Sequence, residues 1–204
     1  MNCLILNKKI YQQCMHAHAK EFNMNKTVII SGHPRLNTES LNNKIIVDKV
    51  RELENVEVRD LKSLYPDFRI DVEAEQAVLL KADNVVFQFP FYWYTVPGIL
   101  KEWIDEVFTY GFAYGSTGDK LKGKRLIISM TIGGPEESYS ADGYNTYTID
   151  ELTKQFKQIA NLTGMSFELI HTHNMIYIPD IYNVKEEVEQ RAHAHADRLI
   201  SVIS

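Results

Sequence analysis

Three stretches of this 204-residue chain are apolar almost from end to end: Thr27–Ser31 (TVIIS), Asn84–Phe89 (NVVFQF) and Arg125–Thr131 (RLIISMT). A strand with one wet face alternates apolar and polar side chains. Continuous runs instead fit strands buried on both faces, as in a parallel sheet covered by helices. The segments between them carry helical periodicity. Leu41, Ile45, Ile46, Val50 and Leu53 recur at helical spacing, Val72–Lys81 reads as a short helix, and Pro97 opens another whose first turn is Pro97-Gly98-Ile99-Leu100. Val56–Asp60 (VEVRD) alternates like an edge strand. Ile149–Leu162 reads as a helix stopped at Gly164, Phe167–Ile178 carries a fifth strand, and Val184–Val202 closes as an amphipathic helix. Alternating strands and helices of these lengths specify an α/β fold with a doubly wound five-stranded parallel sheet, and residues 25–204 are enough for one domain of this kind.

In a doubly wound sheet of order 2-1-3-4-5, strands 1, 3 and 4 are neighbours. Ligands then bind beyond the carboxyl ends of the strands, at the switch point between strands 1 and 3. The loops after these strands are the three oddest in the chain. Loop 1, GHPRLNTESLNN from Gly32, sets hydroxyl and amide side chains just ahead of a helix, where N-terminal amides and the helix dipole favour a phosphate. Plain helix capping by Thr38 or Asn37 would use the same residue types. Loop 3 follows Pro90 with four consecutive aromatics, Phe91-Tyr92-Trp93-Tyr94, more than a turn needs to fill a core. They suit a flat apolar wall against a planar ligand, whereas Phe89 and Trp103 read as core. Loop 4 runs Thr131-Ile132-Gly133-Gly134-Pro135-Glu136-Glu137-Ser138-Tyr139, and its glycines allow backbone to approach a ligand edge closely.

The run from Gln88 to Phe108 resembles the NAD(P)H:quinone oxidoreductases of the flavodoxin-like fold, the family of DT-diaphorase, drug-activity modulators and potassium-efflux ancillary proteins. Gln88, Phe89, Pro90, Trp93, Tyr94, Val96, Pro97, Leu100, Lys101, Trp103, Asp105, Val107 and Phe108 all fit its pattern, and the likeness extends in order from about Thr27 to about Pro179. The resemblance implies strand order 2-1-3-4-5 and a bound flavin. It places the flavin phosphate and ribityl chain at His33, Asn37, Ser40 and Leu41. The isoalloxazine ring falls to Pro90, Phe91, Tyr92, Trp93 and Tyr94, with a backbone N–H of that turn near flavin N5. The ring edge falls to Thr131, Gly133, Gly134 and Tyr139. Gly133 amides would stabilise charge on the reduced flavin and Tyr139 would stand beside it. Some members carry a histidine six residues after this tyrosine, where this chain has Asn145; an amide can hydrogen-bond there but cannot take a proton near neutral pH.

The activity so implied is two-electron ping-pong transfer from NADPH or NADH through the flavin to quinones or similar acceptors. The short sequence after strand 5 favours FMN, with FAD the alternative. A homodimer is implied, with Tyr110, Phe112 and Tyr114 as candidate interface or acceptor-pocket residues, equally able simply to cover the end of the sheet. Two other roles stay open: a regulatory flavoprotein subunit of a potassium-efflux transporter, and a one-electron carrier. The aromatic wall and the modest net charge of −5 argue against the carrier.

The same net charge argues against a nucleic-acid binder. No run of eighteen apolar residues is present to insert in a membrane, and two cysteines, Cys3 and Cys14, make no disulfide framework, so a cytoplasmic setting is expected. Gly118–Arg125 imitates a phosphate-binding loop but lacks its Ser or Thr and precedes a strand. His16/His18 and His193/His195 are two apart and would face different sides of a helix, which argues against a metal site; solvated or packing roles are expected for these and for His171 and His173. No nucleophile elbow occurs. Residues 1–24 read as an extension, either packing on a partner or preceding a native start at Met24.

Overall fold

The computed structural model describes residues 25–204, so the expectations for Cys3, Cys14, His16, His18 and the extension at 1–24 lie outside the described residues. Five strands pair in parallel in the order β2-β1-β3-β4-β5. They are β1 (Thr27–Ser31), β2 (Val56–Asp60), β3 (Asn84–Pro90), β4 (Arg125–Thr131) and β5 (Ser166–Thr172). The helices are α1 (Leu36–Glu39), α2 (Asn42–Arg51), α3 (Leu61–Leu64), α4 (Val72–Lys81), α5 (Gly98–Val107), α6 (Ile149–Leu152), α7 (Lys154–Thr163) and α8 (Lys185–Ile203).

Strand alternation splits the sheet between two cores. Val28, Ile30, Phe87 and Ile128 belong to a cluster with Leu79 of α4, Trp103 of α5 and Phe156 of α7. Ile29, Val86 and Ile127 belong to the opposite cluster, with Ile46 and Val50 of α2 and Ala192 and Leu199 of α8. Two residues further along each strand this second face turns polar. Ser31, Gln88 and Ser129 lie in register across the sheet and are buried. From α8 the fully buried His195 reaches Ser129 Oγ at 2.7 Å. His193, two residues earlier, is exposed, which separates the pair as expected.

On the other face Glu75 of α4 is fully buried and accepts from three elements: Arg59 of β2 at 2.5 Å, the Tyr65 hydroxyl at 2.6 Å and Trp103 Nε1 at 2.9 Å. A buried carboxylate persists only when paired and hydrogen-bonded like this. It locks α5, and with it the turn before α5, against the sheet.

Three elements differ from the sequence reading. The helix at Ile149–Leu162 is two, because Thr153 leaves helical geometry and turns its hydroxyl back to Ile149 O at 2.7 Å. α7 does stop at Gly164, in the left-handed region at φ 71°. β5 ends at Thr172, because Asn174 takes φ 55° and Met175 N returns to Ile132 O at 2.9 Å. The loop after β1 contains the helical turn α1. Among the described residues no helix is long and apolar enough to cross a membrane, and no three His, Cys, Asp or Glu side chains are grouped to hold a metal.

Removing Glu75 strands Arg59 without its buried partner. Glu75→Ala is expected to cost about 3 kcal/mol, read as a lower urea midpoint at unchanged slope. Burial also pushes the His195 pKa down to about 3, from 6.5 for a free imidazole. The unfolded chain therefore binds the extra proton between these values. The stability from neutral His195 is complete above pH 6.5 and is lost as pH falls. By pH 5 the loss is about 2 kcal/mol, and His195→Gln should flatten that part of a midpoint-against-pH curve.

Candidate functional site

A crevice of about 530 Å³ opens beyond the carboxyl ends of β1, β3 and β4. Its first wall leaves β1 at Gly32, whose amide continues the ladder to Gln88 O at 2.9 Å. A Cβ on Gly32 would stand 2.7 Å from Leu100 Cβ, so only glycine lets the chain pass α5 here. His33 follows, buried, with Nδ1 accepting from Arg35 N at 3.0 Å. Burial and the neighbouring Arg35 cation push its pKa down to about 4, so the ring is neutral. Ser40 and Leu41 then lead into α2, whose N-cap position, Leu41, has no side-chain oxygen to offer; inside the first turn Asn42 Oδ1 accepts from Asn43 N at 2.5 Å.

The second wall is the aromatic turn. Phe91 N bonds Thr131 O at 2.9 Å, and Thr95 N bonds Tyr92 O at 3.1 Å, closing a tight turn around Trp93 and Tyr94. Both take positive φ, 48° and 64°, a region bulky residues rarely enter. The turn is tight because α5 begins at once behind Pro97. Trp93 stands 90% exposed, whereas Phe91 packs into the core while lining the crevice.

The third wall is Thr131 and Gly133. Beyond it, Gly134 O accepts from Asn174 N at 3.1 Å and lies 3.2 Å from His173 Nδ1. Tyr139 packs on His173 with ring centroids 5.2 Å apart. Burial, with Tyr94 adding, raises the Tyr139 pKa. The Tyr94 hydroxyl donates to Asn145 Oδ1 at 2.8 Å and so ties the aromatic turn to the loop after β4.

Of the residues singled out in the sequence, His33, Ser40, Leu41, Pro90, Phe91, Tyr92, Trp93, Thr131 and Gly133 line this crevice. Tyr94, Gly134, Tyr139 and Asn145 lie beside it, in the loops just described, without lining it. Asn37 points elsewhere, donating to Asp60 Oδ2 at 3.0 Å, also on the carboxyl side of the sheet. Tyr110 and Tyr114 are exposed, but Phe112 is a core residue and offers no interface surface, because the loop folds it inward beside Ala113.

Six further residues line the crevice: Glu39, Asn42, Asn43, Met175, Ile176 and Tyr177. Asn42 and Asn43 end loop 1, and two adjacent amides at a helix start are the signal the sequence offers for them. Met175–Tyr177 lies in the stretch Phe167–Ile178 that reads as strand, because the continuous apolar run Met175–Ile178 prolongs β5.

A doubly wound sheet with an aromatic-walled crevice at its switch point defines a flavodoxin-type protein. Residues 25–202 match the model of the flavodoxin-like fold family, and the chain belongs to that family. It is 49% identical over 142 residues to the uncharacterized NAD(P)H oxidoreductase YdeQ of Bacillus subtilis, covering 70% of this chain and 72% of that one. It is 40% identical over 140 residues to the glutathione-regulated potassium-efflux system ancillary protein KefG of Cronobacter sakazakii, covering 69% and 76%. The crystal structure of general stress protein 14 of Treponema denticola in complex with FMN superposes with a TM-score of 0.78 at 33% identity, covering 88% of this chain and 99% of that one.

The Tyr94–Asn145 bond joins two exposed loops, so Tyr94→Phe should change stability by less than about 1 kcal/mol. It should nevertheless speed amide exchange across residues 143–147, measured by hydrogen–deuterium exchange mass spectrometry.

Proposed function

We propose that the crevice binds FMN and that the protein is an NAD(P)H oxidoreductase reducing quinone-like acceptors. The observation that carries this reading is the meeting of a helix N-terminus, an aromatic wall and a glycine edge in one crevice at the switch point. The donor set fits the cofactor. Ser40 and the first-turn amides of α2 suit its phosphate, and Pro90, Phe91, Tyr92 and Trp93 suit a planar ring. Bound FMN would take a hydride from NAD(P)H and then deliver two electrons to the acceptor, which also takes up two protons.

The protein's share is placement and electrostatics. Gly133 brings backbone to the ring edge without a side chain in the way; a Cβ there would meet only Ile176, at 3.6 Å. Tyr139 stays a phenol at neutral pH, because its raised pKa favours the protonated form, and it can only lend a hydrogen bond as donor or through its lone pairs. Asn145 holds Tyr94 and can neither take up nor release a proton near neutral pH. Exposed Trp93 covers the open side, where nicotinamide and acceptor would take turns. Exposed Tyr144 and Tyr147 on the neighbouring loop support a homodimer that closes this side. The likeness to KefG supports a second reading, a flavoprotein ancillary to an ion transporter, in which the same crevice serves regulation.

Purified protein should absorb near about 375 and 450 nm and release FMN on heating; NAD(P)H should bleach the bands anaerobically and a quinone restore them. Protein that is colourless and takes up no added FMN overturns the reading. FMN uptake without bleaching favours the regulatory one.

A further inference from the structure

A file of buried polar side chains crosses the fold from the surface of α8 to the crevice, and its direction follows from its two ends. At the crevice end, the Met175 carbonyl can only accept, so Asn42 must turn Nδ2 to it and keep Oδ1 as an acceptor. Asn43 then gives Nδ2 to Asn42 Oδ1 at 2.7 Å and to Thr131 Oγ1 at 3.0 Å. That leaves Asn43 Oδ1 to accept from Gln88 Nε2 at 2.9 Å, and Gln88 Oε1 to accept from the Ser129 hydroxyl at 2.5 Å. With its one proton committed, Ser129 must accept from His195 Nε2 at 2.7 Å. A neutral imidazole has one N–H, so Nδ1 accepts from the Thr172 hydroxyl at 2.7 Å. At the far end Arg198, which can only donate, gives Nη2 to Thr172.

Both ends fix the same direction, and no donor faces a donor. Asn43, Gln88, Ser129 and His195 are each at most 1% exposed, so each bond lies in a medium of low polarity and polarises the next. Burial keeps His195 neutral, as the file requires. At the end of the file Thr131 accepts from Asn43 and retains its own proton, and Thr131 lines the crevice.

We propose that this file presents the Thr131 hydroxyl to the crevice as a fixed hydrogen-bond donor, with His195, in its Nε2–H form, as the positioning residue. The ligand atom facing Thr131 is then an acceptor. Only the identity of that ligand rests on the FMN reading above.

Two measurements test this. Nitrogen-15 NMR of histidine-labelled protein without ligand should show His195 as the Nε2–H tautomer; the Nδ1–H form or an imidazolium at neutral pH overturns the direction of the file. FMN affinity, followed by quenching of flavin fluorescence, should weaken about three- to tenfold in Thr131→Val, the range for one lost hydrogen bond. It should weaken similarly in His195→Leu and recover in His195→Gln, whose amide keeps a donor toward Ser129. Ser129→Ala cuts the file with less disturbance of packing and should match His195→Leu. Combined with Thr131→Val, Ser129→Ala should add nothing further, because both remove the same interaction. Full additivity, or wild-type affinity in Thr131→Val, overturns the proposal. If the wild type takes up no FMN, the functional reading fails while the tautomer still decides the file.

Discussion

β3 imposes the tightest constraint in the molecule. It is paired on both edges and buried along its whole length, so every side chain on it must be matched by something else in the protein. Toward one layer it sends Phe87 and Phe89, which pack against Trp103 and Phe156 at ring distances of 5.8 and 5.7 Å. Toward the other it sends Gln88, whose amide would cost about 1–3 kcal/mol if left unpaired. That amide is satisfied only if α2 brings Asn43 to one end of it and β4 brings Ser129 to the other. The seat of α2 fixes the loop after β1, and the seat of His195 on Ser129 fixes α8. The layered fold and the shape of the crevice are therefore one problem with one solution.

The loops around the crevice extend the strand ladder past the end of the sheet. Gly32 bonds Gln88, Phe91 bonds Thr131, Met175 bonds Ile132, and Asn174 bonds Gly134, all through backbone at 2.9 to 3.1 Å. A site on such extensions inherits the rigidity of the strands, which suits a protein whose chemistry lies in orientation and electrostatics. The side chains that face outward from this frame, Trp93 above all, are free to meet whatever enters.

Much of this could be read from sequence, and what could not has a common cause. The bounds of β1 and β4 are legible because both of their faces are dry, so each strand reads as one continuous apolar run. The bounds of Val72–Lys81 are legible because Asp71 caps it, accepting from Ala74 N. The strand pattern overruns β5 because Met175–Ile178 stays apolar while Asn174 turns the backbone, and an isolated asparagine says little about φ. The break at Thr153 depends on one hydroxyl returning to its own helix. In the crevice, aromatic and glycine residues stood out by type and spacing. Asn42 and Asn43 did not, because their roles arise only when Met175, Gln88 and Thr131 arrive from distant parts of the chain.

The turn at Trp93–Tyr94 has a consequence for how this protein can change. Two successive left-handed positions in a tight turn are the natural place for Asn-Gly, and bulky side chains there carry strain of about 1–3 kcal/mol apiece. Selection for thermal robustness alone would drift toward small residues at these positions and erase the wall. Aromatic side chains at both positions make the turn a place where durability and ligand handling pull in opposite directions, so a hardened form of this protein is better sought elsewhere in the chain.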